Sequence, residues 1–490
     1  LFVEGEFMAE AIKFGTDGWR AVIADQFTFE NVERVAYAIG LYLQQEVSEL
    51  DRKPVLIGYD TRFMADRFAL RAAQVLMAMG LKVKVSDRDI PTPCIAWAGQ
   101  AEPTAGALQF TASHNPPEYC GVKYIPPYGG PATNDITEKI VANLKHVPPE
   151  RRKEVVKLSR QEADRFSAHE PYLVALSKLI DLAAIKKAGL KVAYDALYST
   201  SRGYLDVMLQ KAGVDFTVLH GYRDPLFGGG MPEPTEKYLS ELKAVMAQGD
   251  FDLGLATDGD ADRFAVVGAG GKFFTPNQLL CLLTRHLHKR HGLQGAVVRN
   301  VATSHMLDHV AKLFALPLIE TPVGFKYIGE KMRTDDVLIG GEESGGVSIK
   351  GHIPEKDGIL ANLLVLEMLA LEGKSLEAIW QDLADEAGVT FFQRRGDLHL
   401  TDATQKLLLK RLEENPIKEL GGKPLQRVSK LDGLKLYYDD DNWLLIRASG
   451  TEPVIRVSGE GTSEQLIDSL MLDFKAQIDE ILEGAKAVGV

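Results

Sequence analysis

Three aspartates stand at alternate positions, Asp258, Asp260 and Asp262, just past the apolar run DLGLAT. An apolar run that breaks into DGDADR reads as a buried strand ending in a tight loop. Carboxylates this crowded repel one another unless a cation sits between them. A hard divalent ion with oxygen ligands is the natural occupant. An EF-hand loop would need Gly at its sixth position and Glu at its twelfth. Here those positions hold Arg263 and Ala269. A short three-carboxylate site leaves coordination positions open, which suits Mg²⁺ holding a phosphate. Arg263 adds a guanidinium able to bind phosphate oxygens in a bidentate manner. The plain alternative is a solvated acidic turn.

Three other loops carry polar groups after apolar segments. TASHNPP (111–117) follows GALQF, and its Pro pair blocks a continuing helix or ladder. Ser113 there is a nucleophile, a phosphate carrier or a simple turn residue. His114 follows it directly, and Lys123 lies ten residues on. GGEESGG (340–346) follows VLIGG. Its glycines allow close backbone approach, and Glu342 and Ser344 suit the hydroxyls of a sugar. The competing reading is a Gly-rich turn with exposed glutamates. RASGTEP (447–453) offers Arg447, Ser449 and Thr451, with Gly450 freeing backbone N–H groups, as an anion nest for phosphate. Taken alone it is a hairpin loop. In open α/β sheets ligands gather beyond the carboxyl ends of strands, so four such loops point to one common cleft.

The elements that must position these loops are legible as alternation. Apolar runs at 55–60, 81–85, 190–195, 216–220, 252–257, 296–300 and 337–341 read as buried strands. Amphipathic helices such as 67–80 and 277–290 lie between them. Strand–helix alternation implies α/β units with mixed, mostly parallel sheets. The strands at 55, 190 and 296 each open a similar block, a repeat of pattern and not of sequence. The charged segment 147–166 reads as a connecting stretch, and further boundaries fall at 268–276 and 386–396. The expected domains are therefore 8–165, 166–272, 273–388 and 389–490, the last a smaller α+β domain closed by a helix over 463–485.

The 490 residues carry a net charge of −12, with 45% hydrophobic and 25% charged content, as in an ordinary globular protein. The acidic balance argues against a nucleic-acid surface. A local Arg/Lys cluster can still reverse the field inside a cleft and admit an anionic small substrate. No stretch reaches the length of a membrane span, so no membrane partner is expected. The N-terminal LFVEGEF lacks the features of a signal peptide, and Met8 is the expected native start. Cys94, Cys120 and Cys281 are too few and scattered for a disulfide framework or zinc site. A cytoplasmic setting is expected. Nothing separates monomer from dimer.

With its loops in this order, the chain resembles the α-D-phosphohexomutases from FGTDGWR (14–20) to RASGTEP. The resemblance implies four domains around a central cleft, three similar α/β domains and a smaller α+β one. It implies that TASHNPP is the phosphoserine loop, DGDADR the metal loop, GGEESGG the sugar loop and RASGTEP the phosphate loop. Ser113 would carry the phosphoryl group and, with Asp258, Asp260 and Asp262, bind Mg²⁺. Each hydroxyl needs a proton-transfer partner. Lys123 matches the family lysine after the phosphoserine, and Arg20 and His114 match residues lining the same site.

On substrate, enzymes acting on both mannose and glucose phosphates carry a His two places after the sugar-loop Ser; this chain has Gly346. GEES and HIPEKDG (352–358) are similar to phosphoglucomutases, which makes Lys356 the second acid/base candidate. Without the resemblance Lys356 reads as an exposed lysine at a helix start. TPVGFKYIG (321–329) resembles the loop that contacts sugar and phosphate through Gly324 and Lys326. The expected partner is thus a small sugar phosphate, with glucose 1,6-bisphosphate as activator. Mannose, glucosamine and pentose phosphates are the alternative substrates. A metal-dependent sugar phosphatase and a non-catalytic sensor are the alternatives in other classes.

Overall fold

The computed structural model describes residues 12–15, 17–147, 163–448 and 454–487. Its contacts divide the chain into two compact units. One takes residues up to 275 together with Ser344–Leu376; the other takes Pro276–Glu343 and the chain from Glu377 onward.

The first unit contains two sheets. One has the strand order Trp19–Val22, Tyr119–Ile125, Ala107–Phe110, Val55–Tyr59, Val83–Ser86, Asp164–Phe166. Its first two pairings are antiparallel and the rest parallel. The second runs Phe273–Phe274, Phe264–Gly268, Leu253–Thr257, Lys191–Asp195, Asp215–Leu219. Here two pairings are antiparallel and two parallel. The sheets are mixed, then, with more antiparallel pairing than strand–helix alternation alone suggests. The cause is the chemistry-bearing loops. Ala107–Phe110 returns through the serine loop to Tyr119–Ile125, and Leu253–Thr257 returns through the aspartate loop to Phe264–Gly268. Connections this short can only make hairpins, because a parallel crossover needs a dozen or more residues.

Val55, Leu56, Ile57 and Gly58 are all buried, as expected of a strand covered on both faces. The helix Phe29–Glu46 and the helix Ala65–Ala78 supply the cover on one side, with Phe27 stacked on Trp19 and edge-on to Phe68. Asp164–Phe166 pairs with Val83–Ser86 where sequence suggested only a connector. Residues 148–162 of that stretch lie outside the described residues.

Helix Gly358–Glu372 is apolar nearly all round, and its first twelve residues are buried. A helix of that kind belongs in a core. It packs on Leu253–Thr257 and Phe264–Gly268, and Asn362 Nδ2 donates to the Ala256 carbonyl at 3.0 Å. Asp357 caps it, accepting from Ile359 N at 3.0 Å and Leu360 N at 2.9 Å. Gly358 sits so close to the aspartate loop that a Cβ there would lie 2.3 Å from the Arg263 carbonyl oxygen. Tyr172 donates to Asp357 Oδ2 at 2.6 Å and locks the helix start from another element. The division into units therefore runs through the block read as 273–388, and takes Lys356 to the side of the serine loop.

In the second unit Ala296–Asn300 is flanked by Leu318–Thr321 and Val337–Gly341, both parallel to it. The C-terminal sheet is antiparallel in the order Phe392–His399, Val454–Gly461, Trp443–Ala448, Leu434–Tyr437, Arg427–Ser429. Helix Glu464–Ala487 covers it, with Ile467, Leu470 and Phe474 in the shared core. Among the described residues no helix is long and apolar enough to cross a membrane.

Candidate active site

Ser113 lies past the C-terminal end of Ala107–Phe110 with φ 51, a left-handed conformation uncommon for a residue with a Cβ. Its N–H donates to Thr111 Oγ1 at 2.8 Å. Its hydroxyl is buried, donates to Asp258 Oδ2 at 2.7 Å, and stands 3.4 Å from His114 Nδ1. The serine and aspartate loops touch because Gly259 has no side chain: a Cβ there would come within 2.5 Å of the Ser113 carbonyl oxygen.

Asp258, Asp260 and Asp262 are all buried and offer carboxylate oxygens within 4.8 Å of one another. Burial, reinforced by Asp262 and Asp260, pushes Asp258 well above the ordinary carboxylate range. Burial also acts on Asp260, but Lys123 and the Thr92 hydroxyl, which donates to it at 2.6 Å, outweigh that and pull it down. Asp260 Oδ1 and Asp262 Oδ1 are buried with no hydrogen-bond partner. Buried oxygens of this kind demand a partner, and a hard cation with open coordination positions satisfies both. The donor set fits a divalent metal.

Two lysines converge on these carboxylates. Lys123 Nζ is 3.0 Å from Asp260, 3.4 Å from Asp262 and 3.0 Å from Asp17. Lys356 Nζ is 3.2 Å from Asp262 and 3.2 Å from Glu355. Burial opposes the charge on Lys123, yet Asp17, Asp260 and Asp262 together hold it well above its usual value. Lys356 is likewise raised against burial by Asp262, Glu355 and Asp17. Burial lifts Glu355 to about 7. Asp17, despite burial, is brought to about 2 by Lys123, Lys356 and Arg20. Arg20 lies 3.8 Å from Asp17 and donates to Asn115 Oδ1 at 2.8 Å.

The first unit thus gathers Ser113, His114, Lys123, Arg20, Lys356 and the aspartates. Arg263 joins them through its backbone N–H, which donates to Asp258 Oδ1 at 3.0 Å. Asp17, Thr92 and Glu355 were passed over in the sequence. Asp17 sits inside FGTDGWR and Glu355 beside Lys356 in HIPEKDG, so each lies in a segment that carries a sequence signal. Thr92 carries no local signal.

The second unit gathers its own set. Glu342 Oε1 accepts from Gly324 N at 3.1 Å and from Asn300 Nδ2 at 3.2 Å. Gly324 has φ 124, which only glycine adopts readily. Lys326 Nζ lies over the Tyr327 ring at 5.2 Å. Asp432 Oδ2 accepts from Val323 N at 2.9 Å and forms an ion pair with Arg447 Nε at 3.0 Å, tying Arg447 to the loop that holds Gly324 and Lys326. Ser344 falls in the first unit. Ser449, Gly450 and Thr451 lie outside the described residues.

A serine hydroxyl bonded into a metal-type carboxylate cluster, with two ammonium groups alongside, is suited to taking up and handing on a phosphoryl group. Phosphoryl transfer needs positioning and charge stabilisation above all. Comparison with known proteins narrows that class. Residues 11–150, 170–271, 275–387 and 408–477 match the family models for phosphoglucomutase/phosphomannomutase domains I, II, III and the C-terminal domain, in that order. A phosphoglucomutase/phosphomannomutase of Thermococcus kodakarensis is 29% identical over 96% of this chain and 99% of its own. A phosphoglucosamine mutase of Nostoc punctiforme is 28% identical, covering 92% of this chain and 88% of its own. A solved structure from Thermus thermophilus, provisionally named a phosphomannomutase, superposes with a TM-score of 0.84 at 34% identity, covering 96% of this chain and all of that one. The chain belongs to the phosphoglucomutase/phosphomannomutase family, the α-D-phosphohexomutases, and is a mutase of the isomerase class.

Proposed function

We propose that this mutase interconverts glucose 1-phosphate and glucose 6-phosphate through a phosphoserine at Ser113. The observation that carries the reading is Lys356 Nζ, 3.2 Å from Asp262 and on the same carboxylate cluster as Lys123. Lys356 belongs to HIPEKDG, the segment in which this chain is similar to phosphoglucomutases, and Gly346 stands where a dual-specificity enzyme carries His. In the cycle, phosphorylated Ser113 gives its phosphoryl group to the free hydroxyl of a hexose monophosphate. The Ser113 oxygen leaves and the sugar becomes a 1,6-bisphosphate. The bisphosphate reorients and returns its other phosphoryl group to Ser113 Oγ, releasing the isomer. Lys123 and Lys356, both held as ammonium groups, are the proton-transfer partners: one donates to the departing Ser113 oxygen and is reprotonated by the attacking hydroxyl. Asp258, Asp260 and Asp262 would hold Mg²⁺, which when bound supplies positive charge to the phosphoryl oxygens. Glu342 and Ser344 would read sugar hydroxyls, and Arg263, Gly324, Lys326, Arg447, Ser449, Gly450 and Thr451 the distal phosphate.

Coupled assays on glucose 1-phosphate and mannose 1-phosphate, with Mg²⁺ and trace glucose 1,6-bisphosphate, test this directly. Glucose turnover should dominate, with little free phosphate released. Comparable mannose turnover would return the enzyme to dual specificity. The names of the relatives keep glucosamine phosphate as the second reading, and turnover of that substrate alone would select it. Stoichiometric phosphate release would point to a phosphatase. Lys356→Met should lower kcat by roughly 10²–10⁴ with little change in KM. A kcat loss under about threefold would remove Lys356 from proton transfer.

A further inference from the structure

The serine loop is gripped from behind by a side chain that carries no motif of its own. Arg62 follows Val55–Tyr59 in the segment YDTR and is fully buried. A guanidinium has five N–H donors in a rigid fork, and here every one finds an acceptor. Nε donates to Asp60 Oδ2 at 3.2 Å. Nη1 donates to the carbonyls of Pro116 at 2.7 Å and Tyr119 at 3.0 Å. Nη2 donates to the carbonyls of Ser113 at 2.6 Å and Asn115 at 2.7 Å. Asp60 is itself fixed: its Oδ1 accepts from Arg62 N at 2.9 Å, and its N–H donates to the Phe110 carbonyl at 2.9 Å. The Phe227 ring lies against the guanidinium, 5.0 Å from centroid to Cζ. A little further along that segment, the Pro232 carbonyl accepts from Gly259 N in the aspartate loop at 3.1 Å.

Four carbonyl dipoles aimed at one point repel unless a cation sits there. Ser113 also holds a left-handed backbone, φ 51, which persists in a residue with a Cβ only where its surroundings over-determine it. The guanidinium meets both requirements. It draws the loop carbonyls inward, which turns the Ser113 side chain outward to Asp258. We infer that Arg62 is a positioning residue for phosphoryl transfer at Ser113, setting the place of Oγ relative to the aspartates. The inference rests on the reading of Ser113 as the phosphoryl carrier.

Arg62→Lys keeps a charge but offers only three donors from one point, so it cannot span the four carbonyls. The test uses the full chain at a temperature where its circular dichroism matches the parent. It compares kcat and KM for glucose 1-phosphate with the rate at which glucose 1,6-bisphosphate phosphorylates Ser113, read by intact mass. A displacement of about 1 Å at a reacting atom costs about 10²-fold. We expect a kcat loss of that order, a parallel slowing of Ser113 phosphorylation, and a KM within about threefold. A kcat and phosphorylation rate near those of the parent would overturn the inference. If Arg62→Lys does not fold, Asp60→Asn serves as the second variant, because it keeps the guanidinium but loosens Nε. A loss confined to kcat supports the positioning role there too, and an unchanged kcat in the folded variant overturns it. Ser113→Ala separates the two readings. Turnover surviving that change removes the serine carrier itself. Its loss beside a fully active Arg62→Lys removes only the role of Arg62.

Discussion

Ser113→Ala should abolish hexose phosphate turnover, by at least about 10⁴-fold, since phosphate monoesters are among the slowest species to react unaided. The reason lies in what remains. The neighbouring His114 stands at Ser113 Oγ, 3.4 Å away, but no other hydroxyl is bonded to Asp258 among the described contacts. A water that replaced Oγ could accept a phosphoryl group only to release it as free phosphate. The variant should still fold. It loses one buried hydrogen bond, a cost of about 1 kcal/mol, and Asp258 keeps its bond from Arg263 N at 3.0 Å. The check is a coupled assay beside intact mass after exposure to glucose 1,6-bisphosphate. The parent should gain a phosphoryl group and the variant none. Turnover within tenfold of the parent would sink the covalent mechanism while leaving the family assignment intact.

Loss of the metal should be nearly as severe. Chelation should stop turnover and Mg²⁺ should restore it, while Asp260→Asn should lower it by at least about 10³-fold through lost charge stabilisation. Asp260 is the informative position because its two oxygens differ. Oδ2 is engaged by Thr92 and Lys123, and Oδ1 is buried without a partner. Asparagine can keep the Thr92 contact through its oxygen but offers an amide where the cation needs charge. A second readout does not depend on activity. A ligand that binds only the folded state raises its stability by RT ln(1 + [L]/Kd). The parent should therefore melt higher as Mg²⁺ is added, and Asp260→Asn should lose most of that increment. A variant with the parent's Mg²⁺-dependent rise in melting temperature would remove Asp260 from the metal set.

Much of this was open to a reader of the sequence. Asp258, Asp260 and Asp262 stand within one loop, and the apolar run before them is long enough for one strand. All seven apolar runs became strands. Burial on both faces leaves a continuous hydrophobic signature in Leu253–Thr257, Ala296–Asn300 and Val337–Gly341, whereas Asp215–Leu219 is an edge strand with only Leu219 buried. Lys356 was reached only through resemblance. Its own surroundings read as an exposed helix start, whereas the side chain is buried against Glu355 and Asp262.

Other features belong to packing alone. Helix Gly358–Glu372 brings Lys356 to the aspartate loop because an all-round apolar helix must be buried somewhere, and its sequence does not name the sheet it covers. Arg62 lies far from Ser113 in the chain, yet three carbonyls of the serine loop and that of Tyr119, where the next strand starts, point at it. Those acceptors are backbone atoms, identical at every residue, so no spacing of side chains could announce them. Asp17 helps to hold Lys123 charged, and Asp262 with Glu355 does so for Lys356, but a carboxylate's partner is set by distance in space. Local chemistry is written along the chain, since its groups share one loop. The pairing of charges is decided by which surfaces meet once the strands and helices have packed.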